Sequence, residues 1–452
     1  MPIVITQLGQ MLLGVVEMLY AGRLGVDALD AISLGLVWQH GTMWPLAGVV
    51  IGYDPLVSQA FGAGRGDEVA RAVQRAVVIA AALSLLVALS WLYTEEVLVL
   101  FGQRPEIAAA AALYVRMQLF SAPTVLVYSA ISVWLSSRGI VRPGNVVMIC
   151  ANVFNALVSY GLVLGGFGMP ALGVRGAAIS IGLTRVLMVG VLLALVLKLR
   201  LHRGAWVPWS REVLRWEPLR RQLALGIPYG FSMGLELWAF QLGTLLAGRI
   251  GHVALGAHAI ALNLASLLFM VPLGLSIGTS IRVGQLIGAG DSPHAQRAAQ
   301  TALKLIGGYA LCAGLGVAAL SDWLPRLYTR DGAVVALAAS ALPIAGAFQL
   351  LDGLQAAGSG VLRGMGKPRI TAAFNAVGYF VIGIPLAWYL GLHTSLGLRG
   401  VWLGYAAGLS FVAVTLVGTV LLRGPRTAVA LVAPRAVPAP TTPLQSPADT
   451  GG

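Results

Sequence analysis

Long apolar stretches recur along the whole chain, separated by short segments that hold most of the polar residues. Each stretch is near or above the roughly 20 residues that a helix needs to cross the hydrocarbon core of a bilayer. The pattern predicts twelve membrane-spanning helices, at residues 1–22, 29–53, 71–93, 107–136, 144–166, 172–197, 222–247, 254–280, 298–320, 333–360, 371–391 and 398–421.

Composition agrees with this pattern. Hydrophobic residues make up 58% of the 452 positions and charged residues only 10%, with a mean hydropathy of +0.82, whereas soluble domains are about 25% charged. The chain is therefore predicted to be an all-α integral membrane protein whose first partner is the lipid bilayer. Cys150 and Cys312 both fall in predicted spans, which indicates free, packed thiols and neither a disulfide framework nor a metal cluster.

The net charge of +13 follows the predicted topology and does not form one basic patch. Loops after even-numbered spans hold most of the basic residues, whereas loops after odd-numbered spans hold only Arg23, Arg104, Arg175, Arg249, Arg326, Arg330 and Arg399. By the positive-inside rule the even loops and both termini are cytoplasmic. We therefore expect a multi-pass protein of the bacterial inner membrane and no nucleic-acid partner.

The chain contains one unit twice. The sequence AGRLGVDAL at 21–29 returns as AGRIGHVAL at 247–255, and the same offset of 226 pairs Gln59 with Gln285 and Gly62 with Gly288. Since each unit holds six helices, the second copy has the same orientation as the first. The repeat predicts two six-helix bundles related by a pseudo-twofold axis along the membrane normal, with a cavity between them.

This repeat divides the chain into four predicted parts. Residues 1–197 form an N-terminal lobe and residues 222–423 form a C-terminal lobe. Residues 198–221, which are basic and rich in Trp, are predicted to be a cytoplasmic linker. The Pro- and Ala-rich residues 424–452 are predicted to be a disordered cytoplasmic tail.

Three acids lie inside predicted spans and away from their ends: Glu17, Glu236 and Asp352, whereas others, such as Asp54, fall in or near loops. A carboxylate at bilayer depth is costly and normally faces a partner, a cavity or an ion path. Burial also favours its protonated form, so such a group can alternate between proton and cation. The alternatives are an interfacial position for Glu17 and buried structural hydrogen bonds for the other two.

The residues that carry a family resemblance are the two Gly-Ala-Gly loops, PLVSQAFGAG and SIRVGQLIGAG, and the segment SGVLRGMGKPRITAAFNAVGYFVIGIPLAW. Together with the repeat and the helix count, they resemble the multidrug and toxic compound extrusion (MATE) family over residues 2–422. The acids Glu236 and Asp352 are similar to those of its NorM-type and eukaryotic branches. The resemblance implies a secondary antiporter that exports organic cations in exchange for H⁺ or Na⁺ by alternating access.

The resemblance also implies particular site residues. Glu17 stands where members typically have Asp, and Asn155 and Ser159 stand where they often have Asn and then Asn or Asp. Asn263 stands where some relatives have an acid, and Gln241 and Gln349 lie near the acids of the C-terminal lobe. A second-lobe Na⁺ site at Glu236 and Asp352 stays open, but the weakened N-lobe ligands favour the proton.

Two other functions remain open at this stage. A lipid-linked saccharide flippase of the same superfamily is expected to have a more basic cavity, and Arg116, Arg185 and Arg282 lie within predicted spans, near their ends. A membrane enzyme is disfavoured because no catalytic constellation is visible. We expect a monomer that is not an enzyme and that uses no cofactor beyond its coupling ion.

Overall fold

The computed structural model describes residues 2–433, which contain helices and no strand. Twelve spans follow one another: Pro2–Gly22 (span 1), Val26–Ile51 continued by Asp54–Gly62 (span 2), Gly66–Leu92 (span 3), Pro105–Ser136 (span 4), Arg142–Leu164 (span 5), Val174–Lys198 (span 6), Trp216–Ile250 (span 7), His252–Gly288 (span 8), Ser292–Ala319 (span 9), Gly332–Gly364 (span 10), Pro368–Leu392 (span 11) and Leu398–Arg423 (span 12). The predicted twelve-helix architecture is confirmed.

Each half of the chain has its own apolar core. One core is built from buried residues between Leu13 and Ala205, and the second from buried residues between Ala239 and Val420. Because the two cores do not merge, the molecule consists of two helical lobes, as the repeat predicts. Spans 1 and 2 of one lobe contact spans 7 and 8 of the other.

Spans 2 and 7 are the two that do not qualify as membrane-crossing helices by length and apolarity alone. They pack against each other, so part of each helix faces protein and not lipid. A Cβ at Gly48 would lie 2.7 Å from the Cα of Gly230, and one at Gly52 would lie 2.6 Å from the Cα of Gly226. Small residues on both helices therefore allow the two backbones to meet.

The repeat is visible in the contact between lobes. We call the membrane side that carries the loops after even-numbered spans the basic face. There Gly62 lies against the backbone of Gln285, and Gly288 lies against the backbone of Gln59. These are the residues that the offset of 226 pairs, so each lobe inserts the same glycine against the same glutamine of the other.

A buried polar cluster joins the lobes beside this contact. Asp54 accepts hydrogen bonds from Ser137 of its own lobe (2.7 Å) and from Ser280 of the C-terminal lobe (2.6 Å). Arg363 completes the cluster, with its Nε 3.7 Å from Asp54 Oδ2 and 3.1 Å from Ser280 Oγ, and its Nη1 donates to the Tyr229 hydroxyl. Asp54 lies at a helix end, as the sequence indicates, but the opposite lobe covers it and leaves it 4% exposed.

Several helices extend further than predicted at the basic face, spans 2, 7 and 8 among them. Span 2 continues to Gly62 instead of ending at 53, span 7 begins at Trp216 instead of 222, and span 8 ends at Gly288 instead of 280. Polar residues there pack against protein, which a hydropathy pattern cannot detect. The division into lobes, linker and tail stays a prediction.

The connection between the lobes packs on the N-terminal lobe. Gln74 donates to the carbonyl of Val207 (2.7 Å), Arg138 donates to that of Leu201 (2.8 Å), and Ala205 belongs to the first core. The linker is therefore held against spans 3 and 4.

The first residues of the predicted tail contact the rest of the protein. The backbone N–H of Leu431 donates to Gln59 Oε1 (2.7 Å), and its carbonyl accepts from Arg221. Val432 contacts the N-terminal core, whereas Ala428 contacts the C-terminal one. This short segment therefore touches both lobes, and Ala428, Leu431 and Val432 are half-buried there. Residues 434–452 lie outside the described residues.

The two cysteines also differ from expectation, because both are exposed on the outside of their spans. They are free thiols, but they are not packed.

The orientation can be tested with new cysteines on the basic face. Asp67 and His294 are exposed and follow the two Gly-Ala-Gly turns. In a background with Cys150→Ser and Cys312→Ser, we expect Asp67→Cys and His294→Cys to react with a membrane-impermeant maleimide only after the cytoplasmic side is opened. Labelling of either position in intact spheroplasts would contradict the topology.

Candidate functional site

The C-terminal lobe brings two of the predicted acids together. Glu236 lies in the middle of span 7 and Asp352 in span 10, where its side chain is 4% exposed. Their carboxyl groups are close enough for their charges to interact, and the side chain of Gln355 lies beside Glu236. Neither acid forms an ion pair with a basic side chain within residues 2–433.

Several polar atoms around Asp352 have no hydrogen-bond partner among the described residues. They are Asp352 Oδ1, both polar atoms of the Gln349 side chain, and the Tyr379 hydroxyl. Buried polar groups are nearly always satisfied in folded proteins, so a cluster of unsatisfied ones indicates a place where a proton, an ion or a ligand completes the set. Tyr379 is near both acids.

Aromatic rings form one wall of this cluster. The ring of Phe240, one turn after Glu236, lies 6.0 Å from that of Phe348, 6.5 Å from Tyr379 and 5.8 Å from Tyr405. Tyr379 itself belongs to a π-helical stretch, Ala376–Gly383, within span 11. Such stretches are frequent at functional sites because they turn side chains out of the regular helical register. Negative carboxylates beside aromatic faces suit an organic cation.

The third predicted acid, Glu17, lies in the other lobe and has a different environment. It is 6% exposed, faces the interior of the N-terminal lobe and accepts a hydrogen bond from the Tyr114 hydroxyl. Glu17 is thus enclosed by protein, while its depth in the membrane stays a prediction. The guanidinium of Arg185 is near enough to attract its charge.

Arg185 is a residue whose position the sequence interpretation missed. It lies in the middle of span 6, not near its end, and donates to Gln118 Oε1 (2.8 Å) and Gln39 Oε1 (3.0 Å). Because its neighbours come from spans 1, 2 and 4, the guanidinium is inside the lobe. The N-terminal lobe thus balances Glu17 with Arg185, whereas the C-terminal lobe leaves two carboxyl groups without a cation.

The remaining predicted residues do not join either acid cluster by hydrogen bonds. Asn155 donates to Thr184 (3.2 Å) and Ser159 is 2.7 Å from Ser180, so both connect spans 5 and 6. Asn263 is exposed and accepts a hydrogen bond from the Tyr328 hydroxyl at 2.9 Å.

Gln241 is partly buried and forms no hydrogen bond to Glu236 or Asp352 within residues 2–433. The side chain of Gln349 likewise has no hydrogen-bond partner in the described part of the chain, so the cation ligands of the C-terminal lobe stay a prediction. Within the same residues, no group of three or more His, Cys, Asp or Glu side chains is placed to hold a metal ion.

The other two arginines noted from the sequence lie outside the lobe interiors. Arg116 is the last residue of the first helical segment of span 4, and it pairs with Glu95 and Glu96, each at 3.4 Å. Arg282 is exposed.

Comparison with known proteins agrees with this architecture. The MatE family model matches residues 2–161 and 228–389, one segment in each lobe. The chain is 36% identical over 417 residues to the probable multidrug resistance protein NorM of Bradyrhizobium diazoefficiens, covering 90% of this chain and 88% of the relative. It is 33% identical over 416 residues to multidrug and toxin extrusion protein 2 of Mus musculus, covering 91% of this chain and 71% of the relative.

A solved structure shares the fold. The crystal structure of the eukaryotic MATE transporter AtDTX14 superimposes with a TM-score of 0.87 at 24% identity, over 94% of this chain and 95% of that one. The family model covers both lobes, and the relatives match over most of the chain. The chain therefore belongs to the MatE family of multidrug and toxin extrusion transporters.

Proposed function

We propose that the protein is a secondary active antiporter that exports organic cations in exchange for protons. The observation that carries this proposal is the pair Glu236 and Asp352, which has no ionic partner among the described residues and lies beside unsatisfied polar atoms and aromatic rings. An organic cation favours the ionised acids, and an incoming proton neutralises them. Both ligands therefore compete for one site, and this competition is the coupling.

The same proposal gives the orientation of the protein in the membrane and the side on which the route between the lobes is closed. With the basic face on the cytoplasmic side of a bacterial inner membrane, both termini are cytoplasmic and the contacts at Gly62, Gly288 and Asp54 close the cytoplasmic route. Export then requires the lobes to part on this face to admit the substrate. A single chain contains both lobes and the whole acid pair, so a monomer is sufficient.

Two features favour the proton over Na⁺. A Na⁺ site needs several oxygen ligands at short distance, whereas a proton needs one accessible carboxylate. In the N-terminal lobe Glu17 is already balanced by Arg185, and Ser159 is engaged with Ser180. In the C-terminal lobe Asn263 is engaged with Tyr328, away from the acids.

The flippase alternative is less well supported. It requires a positively charged cavity, and Arg185 is the only one of the three arginines noted that lies inside a lobe. Its charge faces Glu17, while the C-terminal lobe carries two acids.

Proteoliposomes test the coupling directly. We expect an acidic lumen, in the absence of Na⁺, to drive uptake of a fluorescent cation such as ethidium, and collapse of the pH gradient to stop it. A Na⁺ gradient at equal pH should have no effect. Strict dependence on a Na⁺ gradient would reject proton coupling but keep the antiporter, whereas no cation transport under either gradient would reject the proposed function.

A further inference from the structure

A groove with a volume of about 610 Å³ opens between spans 11 and 12, next to the basic face. It runs along the first turns of span 11, past Ile370 and Phe374, and along the last turns of span 12, from Val414 to Arg423. None of its lining residues belongs to the acid cluster, and the transport site described above does not use it.

The floor of the groove is apolar and faces outward. Val414 is 70% exposed and Leu422 is 83% exposed, although both belong to a membrane span. The two hydroxyls that line the groove, those of Thr415 and Thr419, donate to backbone carbonyls one turn earlier, each at 2.7 Å. A Cβ at Gly418 would meet no atom within 4 Å, so the glycine leaves an open channel in the surface. These features suit a hydrocarbon chain.

The rim of the groove is positively charged. Lys367 immediately precedes span 11 and Arg423 ends span 12, and both line the same opening. Neither basic side chain has a carboxylate within ion-pairing distance in the described part of the chain. Basic pockets between membrane helices at a membrane surface are known to bind acidic lipid headgroups.

The dimensions agree with a lipid. Arg423 and Val414 are nine residues apart in one helix, which corresponds to about 14 Å along its axis. The hydrocarbon of one leaflet is roughly 15 Å thick, half of the bilayer core. A molecule with its anionic head at Lys367 and Arg423 would therefore run along the groove to about the middle of the membrane.

We propose that this groove is a binding site for an acidic phospholipid of the leaflet at the basic face. The phosphate lies between Lys367 and Arg423, and one acyl chain lies over Ile370, Phe374 and Gly418. The apolar floor excludes a free phosphate as the preferred ligand, because phosphate would gain only the two charges at the rim. The proposal does not depend on the transported substrate or on the coupling ion.

Native mass spectrometry of the delipidated full-length protein tests it, with phosphatidylglycerol and phosphatidylcholine of identical acyl chains as probes. We expect preferential binding of phosphatidylglycerol to the wild type. In the double variant Lys367→Gln/Arg423→Gln its affinity should fall by about 30-fold, since each basic residue near the surface contributes to attraction of an anionic lipid. The matched variant Arg297→Gln/Lys304→Gln, which removes two exposed charges from span 9 at the same face, should bind like the wild type.

A third variant separates the floor from the rim. Gly418→Leu keeps both charges and fills the channel, and we expect it to lose phosphatidylglycerol binding as well. Equal binding of the two lipids by the wild type, equal affinity in the double variant, or unchanged affinity in Gly418→Leu would overturn the proposal. Inorganic phosphate should not compete with phosphatidylglycerol for the groove. Effective competition would show that the groove binds anions in general and is not a lipid site. Circular dichroism and the thermal unfolding midpoint confirm that each variant is folded.

Discussion

Replacing Glu236 by glutamine should reduce gradient-driven cation transport to the rate of protein-free liposomes. Glutamine keeps the size of the side chain but cannot alternate between an ionised and a protonated form. One carboxyl group of the pair with Asp352 is then lost, and with it the competition between proton and substrate. Uptake of ethidium into proteoliposomes with an acidic lumen measures the effect, and binding of the same dye to the purified variant should also weaken.

Two further variants make this result specific. Asp352→Asn should have the same effect, because it removes the other half of the pair. Glu96→Gln changes an exposed glutamate that pairs with Arg116 far from the site, and it should transport like the wild type. Wild-type transport by Glu236→Gln at equal expression and reconstitution would show that the acid pair is structural.

Replacing Asp54 by asparagine should shift the molecule towards separation of its lobes at the basic face. Asp54 is 4% exposed and holds Ser280 and Arg363 of the opposite lobe, and its loss leaves the guanidinium buried without a counter-charge. Removing one partner of a buried ion pair typically costs about 3–5 kcal/mol. If most of that cost falls on the closed state, the equilibrium between closed and open forms changes by at least about 100-fold.

Spin labels at Asp67→Cys and His294→Cys, in the background without native cysteines, measure the distance between the lobes. We expect a longer distance in Asp54→Asn and slower net transport, because the closed state is then rarely reached. Glu212→Gln is the control: it breaks an ion pair with Arg71 (2.9 Å) beside the linker, without involving the C-terminal lobe. Unchanged distances in a folded Asp54→Asn protein would refute the role of the cluster.

The number of spans could be predicted from the apolar stretches, and the repeat from the segments that return at a fixed offset. That the residues paired by this offset, Gln59 with Gln285 and Gly62 with Gly288, meet between the lobes was seen only in the structure. Glu236 and Asp352 could be singled out because an acid in an apolar run is costly, and the fold then placed them together. The extensions of spans 2, 7 and 8 could not be predicted, since they depend on contacts between residues far apart in the sequence.

The same limit applies to the partners of each acid. The sequence position of Arg185 alone does not reveal that it lies beside Glu17. An arginine in the middle of a span is nevertheless as costly as an acid there, and it indicates a buried partner in the same way. Nor does it reveal that Asp54, at a helix end, is covered by Ser280 and Arg363. Hydropathy records the average environment of a segment, whereas these pairings depend on which helices become neighbours.

The packed start of the C-terminal segment has a kinetic consequence. Leu431 is bonded to Gln59 of one lobe, Val432 lies on the N-terminal core and Ala428 on the C-terminal core, so the segment crosses the line along which the lobes separate. Each opening at the basic face must break the contacts of this segment with one of the two lobes, and a single hydrogen bond such as Leu431–Gln59 contributes about 1 kcal/mol. We therefore expect the turnover number to depend on a strip of chain that touches neither substrate nor ion.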